Sequence, residues 1–217
     1  MRTMIAVPCM DMVHTDFFRS CIGMTQLGDG IQWTTCQCSL IYEARNTLAD
    51  IAIREDFDRV LWLDSDMVFD KNLLIRLSEH LDLGREMVTG LYFGRKAPIR
   101  PMIFKDLRLD PDGSGHGFRP VAENFDDYER DSLFEVAGCG FGAVLMTTAL
   151  LRRVRDLYGP PFFPAQGFGE DFSFCRRVRG YANGKIWCDS SIKLGHAGTA
   201  LFDEELYRTR NRPGGSD

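Results

Sequence analysis

Val60-Leu61-Trp62-Leu63-Asp64-Ser65-Asp66-Met67-Val68-Phe69 is the stretch on which the fold turns. Four apolar residues, too few for a helix and rich in strand formers, run into a pair of carboxylates. Such a run reads as a strand buried on both faces, as in the middle of a parallel sheet. Its polar groups then fall at the carboxyl end, where open α/β sheets bind ligands. In an extended chain Asp64 and Asp66 point to the same side, because side chains alternate with period two. Two carboxylates that close repel unless a cation, a proton or a donor lies between them. A hard divalent ion carrying phosphate oxygens answers that need. The plainer alternative is a surface turn after a strand, since Asp-Ser-Asp is ordinary turn composition.

The chain on either side alternates between strand and helix patterns. Upstream, Met4–Val7 is a short strand ended by Pro8, and His14–Leu27 has helical spacing. Ile31–Leu40 alternates as a second strand, and Ile41–Arg54 places Ala44, Leu48, Ala49, Ala52 and Ile53 at a helix period. Downstream, Lys71–Leu83 carries Leu74, Ile75, Leu77 and Leu81 as a buried stripe, and Met87–Phe93 is a fourth strand. This order predicts an α/β fold with a mainly parallel central sheet flanked by helices. Residues 3–93 form a nucleotide-binding half.

After Phe93 the pattern changes. Met102–Phe104 is a candidate strand, and 106–132 reads as a long loop or a small irregular sheet. Leu133–Val136 and Ala143–Met146 are short strands around Gly138-Cys139-Gly140-Phe141-Gly142. Thr147–Tyr158 is helical, Pro160–Gly169 a loop, Glu170–Val178 a helix, Lys185–Cys188 a strand and Ile192–His196 a last strand. The expected organisation is one domain over residues 1–200, its second half 94–200, with 201–217 as a tail.

The 217 residues carry a net charge of -5, which argues against bulk nucleic-acid binding. Arg152, Arg153 and Arg155 and the later Arg208, Arg210 and Arg212 read as a helix face and a solvated tail. No apolar run approaches the ~20 residues of a transmembrane helix, and Met1–Val7 looks like a core strand rather than a signal peptide. Seven cysteines without a Cys-x-x-Cys pair argue against structural zinc. Reduced thiols in a cytoplasmic protein are the expectation.

Three further features carry chemistry. Glu43-Ala44-Arg45-Asn46 starts a helix, where Arg45 can offer a planar fork to a diphosphate or simply lie exposed. Phe168-Gly169-Glu170-Asp171 opens another helix. Its acids suit the helix dipole, and Asp171 facing a cleft would be a base kept ionised by that dipole. Gly195-His196-Ala197-Gly198 puts a histidine between glycines at a strand end, a candidate metal ligand. His14, His80 and His116 lack such a setting, and His80 reads as a helix-end residue suiting the dipole.

An Ala-Arg-Asn helix start, a strand ending in Asp-x-Asp, a glycine-rich segment, a Gly-Glu-Asp helix start and a late Gly-His resemble, in that order, the GT-A glycosyltransferases, and most of all glycosyltransferase family 2. The resemblance covers roughly residues 3–198. It implies a single GT-A domain that transfers a sugar from a UDP- or GDP-sugar to a glycan, lipid-linked or protein acceptor. It further implies Mn²⁺ or Mg²⁺ as cofactor, Asp64 on the ribose or sugar, and Asp66 and His196 on the metal. Arg45 would lie near the nucleotide, and Pro8 to Asp11 would hold base and ribose. Asp171 would be the base of an inverting reaction, with Glu170 beside it, and the glycines 138–142 would approach donor or acceptor. The Gln-x-x-Arg-Trp pattern of processive members is missing, so a polysaccharide synthase is not expected. Pro161, Phe162, Phe163 and Phe168 line an acceptor cleft or, more simply, pack in the core.

Two rivals remain. A phosphatase of the haloacid dehalogenase type also places Asp-x-Asp after an apolar strand, and Thr89 would be its second motif. That family puts the motif on the first strand, whereas two strand–helix units precede it here. The other rival is a non-catalytic protein that binds a nucleotide or glycan.

Overall fold

The computed structural model describes residues 1–24, 30–114, 116–198 and 201–210. Leu27, expected in the first helix, and tail residues 211–217 lie outside that set.

The first half alternates as expected: β1 (Thr3–Cys9), α1 (Thr15–Met24), β2 (Ile31–Gln37), α2 (Ile41–Arg54), β3 (Arg59–Leu63), β4 (Met67–Val68), α3 (Leu73–Asp82) and β5 (Met87–Leu91). The second half runs β6 (Ile103–Pro111), β7 (Phe118–Asn124), β8 (Leu133–Val136), β9 (Gly138–Cys139), β10 (Ala143–Thr147), α4 (Thr148–Tyr158), α5 (Glu170–Arg179), β11 (Ile186–Lys193), β12 (Gly195–Ala197), β13 (Leu201–Phe202) and α6 (Glu204–Arg210). Seven strands form the central sheet in the order β2-β1-β3-β10-β5-β11-β8. Five run one way; β10 and β8 run against their neighbours.

β3 is buried throughout, and its alternation supplies both cores. Val60 and Trp62 face one side, where Trp62 meets Phe141 and Phe162, and Phe162 stacks on Phe174. Leu61 and Leu63 face the other, with Leu74, Leu77 and Leu81 of α3. α2 lies on the first side because Leu48, Ala49 and Ala52 share one helical face. Phe162 and Phe168 are therefore core residues, while Phe163 is exposed and touches Tyr42 edge to face.

Several elements of the structure depart from the sequence reading or decide between its alternatives. β10 enters antiparallel between β3 and β5, where strand–helix alternation predicts parallel neighbours. Residues 106–132 hold most of a long hairpin, β6 against β7. Its outer face is knit by charge rather than apolar residues, with Arg108 reaching Asp106, Asp110 and Glu123 at 2.8, 3.0 and 3.1 Å. His80 does more than suit a dipole: its Nε2 lies 2.8 Å from Asp189 Oδ2, and the Asp189 carboxylate also accepts from the Ser191 backbone.

β10 brings the glycine segment to the functional end of the sheet. The Asp64 N–H donates to the Gly142 carbonyl at 3.1 Å, so Gly140-Phe141-Gly142 lies beside the end of β3. A small second sheet, β13-β12-β4, brings in the late histidine, with His196 opposite Met67.

The glycines serve the core rather than an open approach to a ligand. A Cβ on Gly142 would stand 2.8 Å from both Met67 Sδ and Tyr92 Cζ, and Gly138 leaves room for Leu107. Overpacking of this kind costs about 1–3 kcal/mol. We expect Gly142→Ala to lower stability by that amount in urea denaturation; an unchanged midpoint would mean that Tyr92 moves aside freely.

Candidate active site

A cleft of about 370 Å³ opens at the carboxyl ends of β1 and β3. Its lining includes Pro8, Arg45, Asp64, Asp66, Arg95, Glu170, Asp171 and His196. Six separate segments bring them together (β1, α2, the turn after β3, the stretch after β5, the start of α5, and β12), so the ordered motifs converge in space. Asp11 does not line the cleft; it is exposed in the segment between β1 and α1.

The Asp pair lies in a turn, not in an extended strand. β3 ends at Leu63, and the Met67 N–H donates back to the Asp64 carbonyl at 3.1 Å. Turn and site are thus the same residues: the tight reversal, rather than strand alternation, aims both carboxylates into one cleft. The Ala197 N–H donates to the Asp66 carbonyl at 2.8 Å and ties the turn to β12.

Each carboxylate has its own cation. Asp64 Oδ1 accepts from Arg45 Nη2 at 2.8 Å, and Arg45 Nε lies 3.5 Å from Glu170 Oε1. Arg45 is 2 % exposed and lies over the Phe141 ring. Burial works to discharge it, but Asp64 and Glu170 outweigh burial and hold it charged. Burial also lifts the Asp64 carboxyl above the usual range, with Arg45 opposing and Asp66 adding to the rise. Asp66 is different. Burial pushes its carboxyl up, yet the hydrogen bond and charge of His196, with Arg95, bring it below the usual range. Arg95 Nη1 is 2.8 Å from Asp66 Oδ2, and His196 Nε2 is 3.5 Å from the same oxygen.

His196 is oriented by its other nitrogen. Nδ1 lies 2.9 Å from the Phe93 carbonyl, an acceptor only, so Nδ1 carries a proton. In the neutral form of the ring Nε2 would then have its lone pair free for a metal, whereas Nε2 facing a bare Asp66 carboxylate has to donate to it. Asp66 and Nε2 make a mixed oxygen–nitrogen pair of the kind Mn²⁺ accepts. Among the described residues no group of three His, Cys, Asp or Glu side chains could by itself hold a metal. Further ligands would have to come from a diphosphate and water, as is usual for such ions. The balance of charge favours a cation: four carboxylates, Asp64, Asp66, Glu170 and Asp171, face two guanidinium groups, Arg45 and Arg95.

Glu170 and Asp171 open α5, whose N-cap Gly169 supplies no side-chain cap. The expectation that the helix start would keep Asp171 acidic is overturned. Burial first, then the charge of Glu170, pushes its carboxyl up to about 6, and the Phe172 N–H hydrogen bond does not offset them. Tyr92 floors the cleft, its hydroxyl accepting from the Gly142 N–H at 3.1 Å, and burial raises its ionisation well above normal.

Sequence reasoning missed Arg95 and Tyr92. Both fall in or beside the Tyr92–Arg95 stretch at the end of β5, and only the position of that strand end in the sheet marks them as cleft residues. Thr89 does not reach the cleft; its hydroxyl donates to the Ala143 carbonyl at 3.0 Å inside the sheet.

No protein-family model matches the sequence, and no curated protein matches it. Solved structures do resemble the fold. A197 from STIV superposes with a TM-score of 0.65 at 18% identity over 94% of each chain. GalNAc-T7, solved with UDP, GalNAc and Mn²⁺, superposes with a TM-score of 0.57 at 14% identity, covering 90% of this chain and 43% of that one. At such identities the likeness is one of fold: an α/β architecture of the GT-A glycosyltransferase kind. Among the described residues no helix is long and apolar enough to cross a membrane.

Proposed function

We propose that the protein is a GT-A glycosyltransferase that moves a sugar from a nucleoside-diphosphate sugar, UDP- or GDP-linked, to an acceptor hydroxyl. The observation that carries this reading is the single cleft that gathers Asp66, His196 and Asp171 from distant parts of the chain. Asp66 and His196 would hold Mn²⁺ or Mg²⁺, which would supply charge stabilisation for the leaving diphosphate. Pro8 and its neighbours receive the nucleoside end. Asp64 contacts ribose or sugar while Arg45, too buried to leave its partners, holds Asp64 and Glu170 in place. Asp171 takes the proton of the attacking hydroxyl, and attack from the face opposite the leaving group inverts the anomeric centre. Glu170 beside it raises the affinity of Asp171 for that proton.

The acceptor is a glycan, a lipid-linked sugar or a protein side chain. The 94–132 and 162–168 segments would supply the acceptor side.

Thermal unfolding with UDP and GDP, each with Mn²⁺, with Mg²⁺ or with EDTA, tests the reading. A ligand at a hundred times its Kd stabilises by about 2.7 kcal/mol, or roughly 5–10 °C for a domain of this size. We expect such a shift for one nucleotide, only with metal, and its loss in Asp66→Ala without change in the unliganded melting point. No shift with either nucleotide, alongside hydrolysis of a generic phosphate ester, would move the assignment to a phosphatase. A metal-dependent shift with no donor hydrolysis or transfer would leave a binding protein.

A further inference from the structure

Arg45 and Arg95 hold the two carboxylates of the Asp64–Asp66 turn at the same distance, 2.8 Å, but in unlike settings. The Arg45 side chain is 3% exposed and that of Arg95 45%. Arg45 lies between two acids and over an aromatic ring, and cannot leave without stranding charge. Arg95 has one acid and one carbonyl, donating to Ala197 O at 3.0 Å. It belongs to no strand; it follows β5 in a segment closed by Gly94 N–H to the Arg100 carbonyl at 2.9 Å. Its guanidinium nevertheless lines the cleft.

The oxygen that Arg95 holds, Oδ2 of Asp66, is also the one facing His196 Nε2 at 3.5 Å. A cation bridging Asp66 and His196 would therefore compete with a guanidinium already on that oxygen. Two positive centres at such range repel.

We propose that Arg95 is an exchangeable counter-ion of Asp66: it yields the carboxylate to the divalent cation and then binds the diphosphate that arrives with it. This rests on the glycosyltransferase reading and adds to it a residue and an order of events. The chemistry suits the exchange. A half-exposed ion pair contributes little and is readily broken, and the planar fork freed from a carboxylate matches two oxygens of a diphosphate. Arg95 thus keeps Asp66 oriented and compensated before the donor binds, and adds positive charge to the donor site afterwards.

The two halves of the exchange predict changes of opposite sign in one variant. The full chain and Arg95→Gln are titrated first with Mn²⁺ alone, read from the electron paramagnetic resonance signal of free Mn²⁺. They are then titrated with inorganic pyrophosphate at saturating Mn²⁺, a probe that carries the diphosphate without a base. With its competitor gone, Arg95→Gln binds Mn²⁺ about fivefold tighter, the scale of an exposed ion pair. It binds manganese pyrophosphate about tenfold more weakly, the scale of a charge-assisted hydrogen bond. A half-exposed side chain leaves the fold intact, which an unchanged melting point confirms. Any other pair of changes in the variant, including none, overturns the role of Arg95 while the wild-type titrations still support the donor site. A wild-type chain that binds neither probe overturns both.

Discussion

Asp171→Asn is expected to bind nucleotide and metal as the wild type does and to lose sugar transfer by 10²–10⁴-fold, the usual contribution of a positioned base. Steady-state kinetics against nucleotide binding separate the two; normal transfer by the variant would remove Asp171 from the mechanism. The same substitution changes stability in the opposite direction. The folded-state pKa of Asp171 is raised to about 6 by burial and by Glu170, above the ordinary carboxylate value. The native state therefore binds this proton more tightly than the unfolded chain. Stability falls as pH rises from about 4 to 6, and the penalty is complete above that range. Two units correspond to at most about 2–3 kcal/mol. Asp171→Asn escapes the penalty, so urea denaturation should find it more stable than wild type at pH 7 and no more stable at pH 4. The rate follows the same titration: kcat/KM falls as pH drops below about 6, because the protonated carboxyl accepts nothing. Glu170→Gln removes the neighbouring charge and moves that acid limb to lower pH.

Arg45→Ala is expected to lower stability by about 3 kcal/mol at neutral pH. Removing one partner of a buried ion pair leaves the other charge without compensation, at a typical cost of 3–5 kcal/mol. The low end applies because the Asp64 side chain is 30% exposed. Asp64, Glu170 and Asp171 then face one another without the cation between them, and loss of the buried guanidinium leaves a void over Phe141 as well. For a domain of this size the melting point should fall roughly 6–12 °C. The loss should shrink in acid, where the stranded carboxylates are protonated. Arg45→Lys keeps the charge but cannot reach Asp64 and Glu170 with one planar fork, so it should recover only part. A melting point within 2 °C of wild type in Arg45→Ala, about the scale of a surface change, would show that the pair contributes little.

The fold class was legible because it is written in local periodicity. Val60–Leu63 is an unbroken apolar run since both faces of β3 are covered, and Leu48, Ala49 and Ala52 mark the buried face of α2. The boundaries of α2 follow from the same stripe. The β6–β7 hairpin was legible only in part, as a candidate strand at Met102–Phe104 and a loop or small irregular sheet beyond it, because charges such as Arg108 hold its outer face and only Leu107 and Leu109 alternate along it. The antiparallel entry of β10 was not legible either: a strand of Ala143, Val144, Leu145 and Met146 is equally apolar in either direction.

The site divides along the same line. The sequence by itself determined that Arg45, Asp64, Asp66, Asp171 and His196 stand at strand ends and helix starts, since those positions follow from where the apolar runs stop. Only the tertiary structure decided their partners and protonation. Asp66 meets Arg95 and His196 through β4 pairing with β12, and Asp171, beside Glu170 in the chain, meets Arg45 and Asp64 because the start of α5 lines the same cleft. Burial and neighbouring charge set the state of a carboxylate; the charge of Glu170 on Asp171 is given by the chain, but the burial that leads the shift comes only from folding. That is why the helix start that reads as a source of acidity holds instead a carboxyl that titrates near 6.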